Sequence, residues 1–275
     1  MKNNNKAALS FVERYRKLEK DFFVLWSRLS EELKETDVHK MRTTIRKISA
    51  IFQIMAVFRK GAVPKKISDF LKNVFDELQE LRDVQVQAIY AAGMTENYPE
   101  IMPFLNGLNK SEAGLTKKCR KVFRDNDPMA LTKQWNKLDA ALFEPELEEA
   151  AGYLDTLFDN LLTAKGRIDR AKIRTLHRFR ISFKKFRYSF EALSSVIGIK
   201  GAALFKRMGH YQDRLGEIQD IDVLSRSLKT FRGKESGLQT VIGEVEKRKA
   251  RLCGFFMRNI DRVYHFRAFH PQGEL

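Results

Sequence analysis

The sequence has only two cysteines, Cys119 and Cys253, far apart and outside any C-x-x-C or Cys/His spacing. That excludes a disulfide framework and a structural zinc site as organising devices, and it fits a reducing cytoplasm. No stretch approaches the roughly 20 apolar residues of a membrane span. The opening segment MKNNNKAALSFVERYRKLEKDFF lacks the uninterrupted apolar core of a signal peptide. A soluble, intracellular protein is therefore expected, with no membrane partner. Strict alternation of apolar and polar residues is nowhere sustained, which argues against half-buried strands. A Gly-rich phosphate loop, a G-x-S-x-G elbow and paired carboxylates in a cleft-like context are also missing. Neither catalysis nor a metal or other cofactor is expected.

What is present is apolar residues at three- and four-residue spacing almost throughout, as in Leu71, Val74, Phe75, Leu78 and Leu81. This is the pattern of helices laid nearly end to end. Breakers fall near Thr36-Asp37, Gly61 to Pro64, Gly93 to Pro99, Asp127-Pro128, Gly166, Gly198 to Gly201 and Gly233 to Gly237. They predict four helices, a connector around residues 126 to 145, and four more helices. Lys and Arg number 51 against 35 Asp and Glu, a formal net charge of +16. Such an excess favours an acidic partner: nucleic acid, polyphosphate or a membrane surface.

An internal repeat organises the chain. Val38-HKMRTTIRKISAIFQI-Met55 aligns without a gap to Leu176-HRFRISFKKFRYSFEA-Leu193, matching His39 with His177, Arg42 with Arg180 and Arg46 with Lys184. LQELRDVQV (Leu78 to Val86) aligns with LGEIQDIDV (Leu215 to Val223), placing Asp83 opposite Asp220. The offsets, 138 and 137 residues, are almost equal. The predicted fold is all-α: two pseudo-symmetric four-helix bundles, residues 6 to 125 and 146 to 265, packed as one domain over 6 to 265.

At about 100° per residue, the second-half helix, taken as 168 to 193, puts Phe179, Phe183, Phe186, Phe190 and Leu193 on one side. Arg170, Arg174, His177, Arg180, Lys184 and Arg187 fall on the other. In the first half, over 38 to 60, Met41, Ile45, Ile48, Phe52 and Met55 lie opposite His39, Arg42 and Arg46. Windows 38 to 68 and 167 to 187 hold 17 Lys and Arg against one acid, Asp169, so the whole net charge resides there. Solvated helix faces ordinarily mix signs, because like charges at i,i+4 repel. A row of one sign in both halves is best explained by a ligand that supplies the negative charge, with the basic side chains facing away from the bundle cores.

His39 and His177 have arginines, not ligands, at i+3, which suits an anion better than a metal. Asp83 and Asp220 are read as positioning groups for basic side chains. Tyr188 projects to the basic side, where its hydroxyl could donate to a phosphate. One tyrosine makes a poor base-reading surface, so nucleic acid is the second reading. A helical His phosphotransfer protein is the third.

The motifs HKMRTTIRK and LHRFRISFKKFRYSFEAL, followed by LRDVQV and QDRLGEIQDIDVL, resemble the CHAD family, the conserved histidine α-helical domain. The resemblance covers roughly residues 6 to 265. It implies paired four-helix bundles about a pseudo-two-fold, with basic helices that bind inorganic polyphosphate without catalysis. Carried over by position, the basic set is His39, Arg42, Arg46 and Lys72 in the first half, and His177, Arg180, Lys184 and Arg187 in the second. Arg174, Tyr188 and Arg207 complete the candidate site. Two departures stand out: Ser49 occupies the place of Arg187, and Gly209 that of Lys72. Lys206, Arg207, His210 and Arg214 are candidates to replace the missing cation. The resemblance also implies a separate triphosphate-tunnel or other polyphosphate-metabolising enzyme as a partner, and a cytoplasmic location that includes polyphosphate granules.

Overall fold

The structure, a computed structural model, describes residues 9–199, 201–231 and 237–267. Helix is the only regular secondary structure among them. The order is α1 (Phe11–Glu31), α2 (Glu35–Phe58), α3 (Lys65–Ala92), α4 (Met102–Asp125), α5 (Thr132–Ala140), α6 (Leu147–Gly166), α7 (Ile173–Leu193), α8 (Ala202–Thr230) and α9 (Leu238–Arg258), then a 3-10 segment Ile260–Phe266. Four long helices precede the short α5 and four follow it, an arrangement compatible with the internal repeat.

The termini of these helices follow from local chemistry. At α1, Ser10 Oγ accepts from the Glu13 amide at 3.1 Å and the Glu13 carboxylate accepts from the Ser10 amide at 2.9 Å, a reciprocal cap. Gly61 after α2 and Gly198 after α7 both have positive φ, 84° and 71°, which side chains disfavour. Two expected boundaries move. Helix α2 begins at Glu35, through the turn expected at Thr36-Asp37. Helix α7 begins only at Ile173, because Asp169 caps the Ala171 amide and ties its own amide to Thr175 Oγ1. Arg170 therefore lies in a turn ahead of the basic row.

The apolar stripes read from the sequence are the core. Phe179, Phe183, Phe186, Phe190 and Leu193 are fully buried, as are Met41, Ile48 and Met55, with Ile45 and Phe52 nearly so. Each such burial contributes roughly 1.5–3 kcal/mol. One continuous cluster takes side chains from α1 through the final 3-10 segment, so both halves share it. A second cluster, at the other end, joins Ala91, Phe104 and Leu108 to Leu224, Leu228 and Val241. The halves are thus fused into one body. Across their junction α2 packs on α7 and α3 on α8, equivalent helices meeting each other.

Candidate functional site

The α2–α7 contact brings the basic stretches of the two halves together. Between α2, α3 and α7 lies an open groove of about 750 Å³. Arg46, Lys65, Lys72, Lys184 and Lys185 line it, together with the hydroxyls of Ser49, Ser68 and Tyr188 and apolar side chains including Phe52, Val63, Leu71, Phe75 and Ile181, and among the described residues no carboxylate does. Lys65 and Lys185 escaped the sequence reading, although both fall inside the two basic windows.

Beneath the groove the expected solvent-facing set divides. Arg42 is 2% exposed, not outward-facing. Helix α3 packs on this flank of α2, and the Arg42 guanidinium lies 4.0 Å from the Phe75 ring centroid. It donates to the Phe75 carbonyl at 2.7 Å and to Gln79, whose amide in turn donates to Asp83. Asp83 therefore acts on Arg42 through Gln79 and fixes its direction at one remove. Arg46 sits over the same ring at 5.0 Å and is half-buried. Arg180 is half-buried too, and its Nε has no hydrogen-bond partner among the described residues.

Crowding like charges at a junction of helices has an electrostatic cost. Burial first, then Arg180, Arg46 and Arg42, push the Lys184 ammonium down to about 6, against the pull of Asp220. Burial and then Arg46 lower Arg42 to about 10, with Asp83 opposing. Arg180 is lowered by burial while Asp220 favours its charge. Asp220 is itself raised by burial despite Arg180 and Arg82. His39 is pushed down by desolvation, then by Arg82 and Arg46. Arg82, paired with Glu35, is a further member of the cluster that the sequence reading missed. The site holds excess positive charge that its own carboxylates only partly offset.

The basic row is not wholly without internal compensation, as the sequence reading supposed. Glu191 accepts from Arg187 Nε at 2.8 Å and lies 3.5 Å from Lys47 Nζ, and Lys72 pairs with Asp76 at 2.7 Å. The two departures from symmetry explain one another. A Cβ on Gly209 would meet the Arg187 guanidinium at 3.6 Å, so Arg187 of α7 covers the place on α8 where a lysine is missing. In the first half Ser49 is small and Lys72 of α3 supplies the cation, both lining the groove. The position is filled from the opposite helix in each half.

Not every candidate joins this groove. Tyr188 lines it but is largely buried, and its hydroxyl accepts from Gln212 at 3.5 Å rather than projecting freely. His177 Nδ1 lies 2.5 Å from Gln219 Oε1, which fixes the ring against α8. Arg174 is exposed nearer the start of α7 and does not line the groove. Arg207 lines a different cleft of about 600 Å³, with His210, Arg214 and Arg262. Lys206 is exposed on the same helix outside both cavities. Among the described residues no cluster of three His, Cys, Asp or Glu is placed to hold a metal ion, and no helix is long and apolar enough to cross a membrane.

Comparison with known proteins agrees with this architecture. Residues 21–229 match the family profile described as the CHAD domain. The crystal structure of the CHAD domain from the plant Ricinus communis is similar at a TM-score of 0.66 and 18% identity, covering 97% of this chain and 93% of that one. Among curated proteins none matches. The shared helical architecture and the profile match over most of its length establish that the chain belongs to the CHAD family.

Proposed function

We propose that the chain binds inorganic polyphosphate in the groove between α2, α3 and α7, and that it does so without catalysis. The observation that carries the reading is the lining: five basic side chains and three hydroxyls with no carboxylate among the described residues, and Lys184 driven down to about 6 by burial and then by its cationic neighbours. A chain of phosphates presents a charge at every unit and needs only donors, which this lining supplies. A nucleic acid would in addition need free aromatic faces. Phe75, the ring nearest the cations, is covered by Arg42 and Arg46.

On this reading the protein resides where polyphosphate does, in the cytoplasm or at its granules, and a separate enzyme that makes or degrades polyphosphate is its natural partner. The test is a binding comparison of long-chain polyphosphate, single-stranded RNA and duplex DNA at equal charge and salt. Clear preference for polyphosphate is expected. Affinities that simply scale with charge, or a dependence on base identity, would overturn the reading.

A further inference from the structure

A second groove, of about 400 Å³, lies between α6 and α7. Three cations line it, Arg167, Arg178 and Lys185, beside the polar groups of Asn160, Thr163, Thr175 and Ser182, and again no carboxylate does among the described residues. All three cations are exposed, and among the described residues none is in an ion pair. Lys185 lines this groove and the one between α2, α3 and α7. The two are therefore neighbours on opposite flanks of α7, sharing one lysine at the crossing.

We propose that the α6–α7 groove is an outer subsite for the same polyanion: a long phosphate chain leaves the central groove over Lys185 and continues past Ser182 and Arg178 towards Arg167. The proposal rests on the central groove being a polyphosphate site. Along α7 the step from Lys185 to Arg178 is about 10 Å at 1.5 Å per residue, so the subsite suits an extended ligand. Three like charges gathered in one groove without a carboxylate repel one another. A phosphate chain would neutralise them, and the side chains of Asn160, Thr163 and Ser182 would donate to its remaining oxygens, Thr175 being committed to the backbone at the start of α7. A short oligophosphate confined to the central groove would never reach Arg167 or Arg178. The subsite thus makes affinity depend on chain length, as linked contacts on one ligand do.

The test uses the full chain and the Arg167→Gln/Arg178→Gln variant, titrated with a short oligophosphate and with long-chain polyphosphate. Both positions are exposed, so the fold should be retained. Long-chain affinity is expected to fall about tenfold or more, with the salt dependence of log K shallower by about two contacts, while short-chain affinity stays within about twofold. Unchanged long-chain affinity, or an equal loss for both lengths, would overturn the outer subsite and leave the central one standing. If the unmodified protein binds neither length, the central reading itself fails. A Lys110→Gln/Lys117→Gln variant, equal in charge and far along the chain on α4, should change neither affinity; a loss matching the groove variant would also overturn the subsite.

Discussion

The Arg42 guanidinium is held twice by one residue, stacked 4.0 Å from the Phe75 ring and donating to the Phe75 carbonyl at 2.7 Å. Its role is structural as much as functional, whereas Arg46, one turn on, borders the open groove. Arg42→Gln should therefore destabilise the protein by about 2–3 kcal/mol, through lost charge-assisted hydrogen bonds and ring contact. Arg46→Gln should change stability by less than about 1 kcal/mol while weakening polyphosphate binding by about tenfold. Thermal denaturation and a binding titration on both variants check this. Equal stability of the two would mean that Arg42 is not anchored as described.

That division marks the limit of what the sequence discloses. The Phe179, Phe183, Phe186, Phe190 stripe was legible because a helix needs one apolar face, and it is the buried face. The repeat pairing Arg46 with Lys184 was legible too, and both line one groove. Helical periodicity names the face opposite the core of its own bundle. It does not say that α3 covers the Arg42 flank or that α7 meets α2 across the halves, so Arg42 was expected in solvent. The exchange of Arg187 over Gly209 for Lys72 beside Ser49 is a relation between helices, and an alignment shows it only as two gaps in a pattern. Arg207, placed in the site by sequence position, belongs to another cleft because α8 carries it to a different face.

A polyanion neutralised at several sites releases counterions in proportion to the contacts it makes. Binding should weaken steeply between low and moderate salt, and orthophosphate and pyrophosphate should bind far more weakly than long chains. Titrations over a salt series measure both. An affinity flat in salt would exclude the groove cations as the contacts.

Lys184 couples binding to protons. In the empty protein its ammonium titrates at about 6, well below the ordinary 10.5. Between those values the unfolded chain holds a proton that the folded one does not, so stability from this residue rises with pH across the window and its cost is full below about 6. A phosphate chain beside Lys184 favours the charged form, so binding at pH 8 should take up a proton. Affinity should then fall as pH rises above about 6, by up to about tenfold per unit from this residue. Calorimetry in buffers of different ionisation enthalpy counts the proton. Lys184→Met should abolish the uptake, raise the melting temperature of the unliganded protein at neutral pH and weaken binding. Uptake that persists in this variant would assign the proton elsewhere.

Asp83 and Asp220 face the cations from α3 and α8, Asp83 through Gln79. As positioning groups they should tolerate Asp→Asn with a modest loss of stability or binding, on the order of 1 kcal/mol. Polyphosphate incubated with the purified protein should keep its chain length. Hydrolysis by the unmodified protein that disappears in either variant would show that the carboxylates do chemistry, and the binding-only reading would be wrong.

The sharpest test separates the groove from bulk charge. Arg46, Lys65, Lys72 and Lys184 all line it, and replacing the four with Gln removes four basic side chains, three of them charged at neutral pH before ligand binds, from helices that Gln suits well. The folding cost should be small, since Lys65 and Lys72 are exposed and removal of Lys184 relieves repulsion. Charge-assisted contacts contribute roughly 1.5–3 kcal/mol in favourable settings and less where water screens them. Even at about 1 kcal/mol each, four losses weaken binding by on the order of 1,000-fold. Replacing Lys110, Lys117, Lys133 and Lys137, all exposed on α4 and α5, changes net charge by at least as much and should cost less than about tenfold, through long-range attraction alone. Circular dichroism confirms that both variants keep their helix content before affinities are compared. If the two lose affinity equally, the ligand responds to total charge, and the groove between α2, α3 and α7 is not its site.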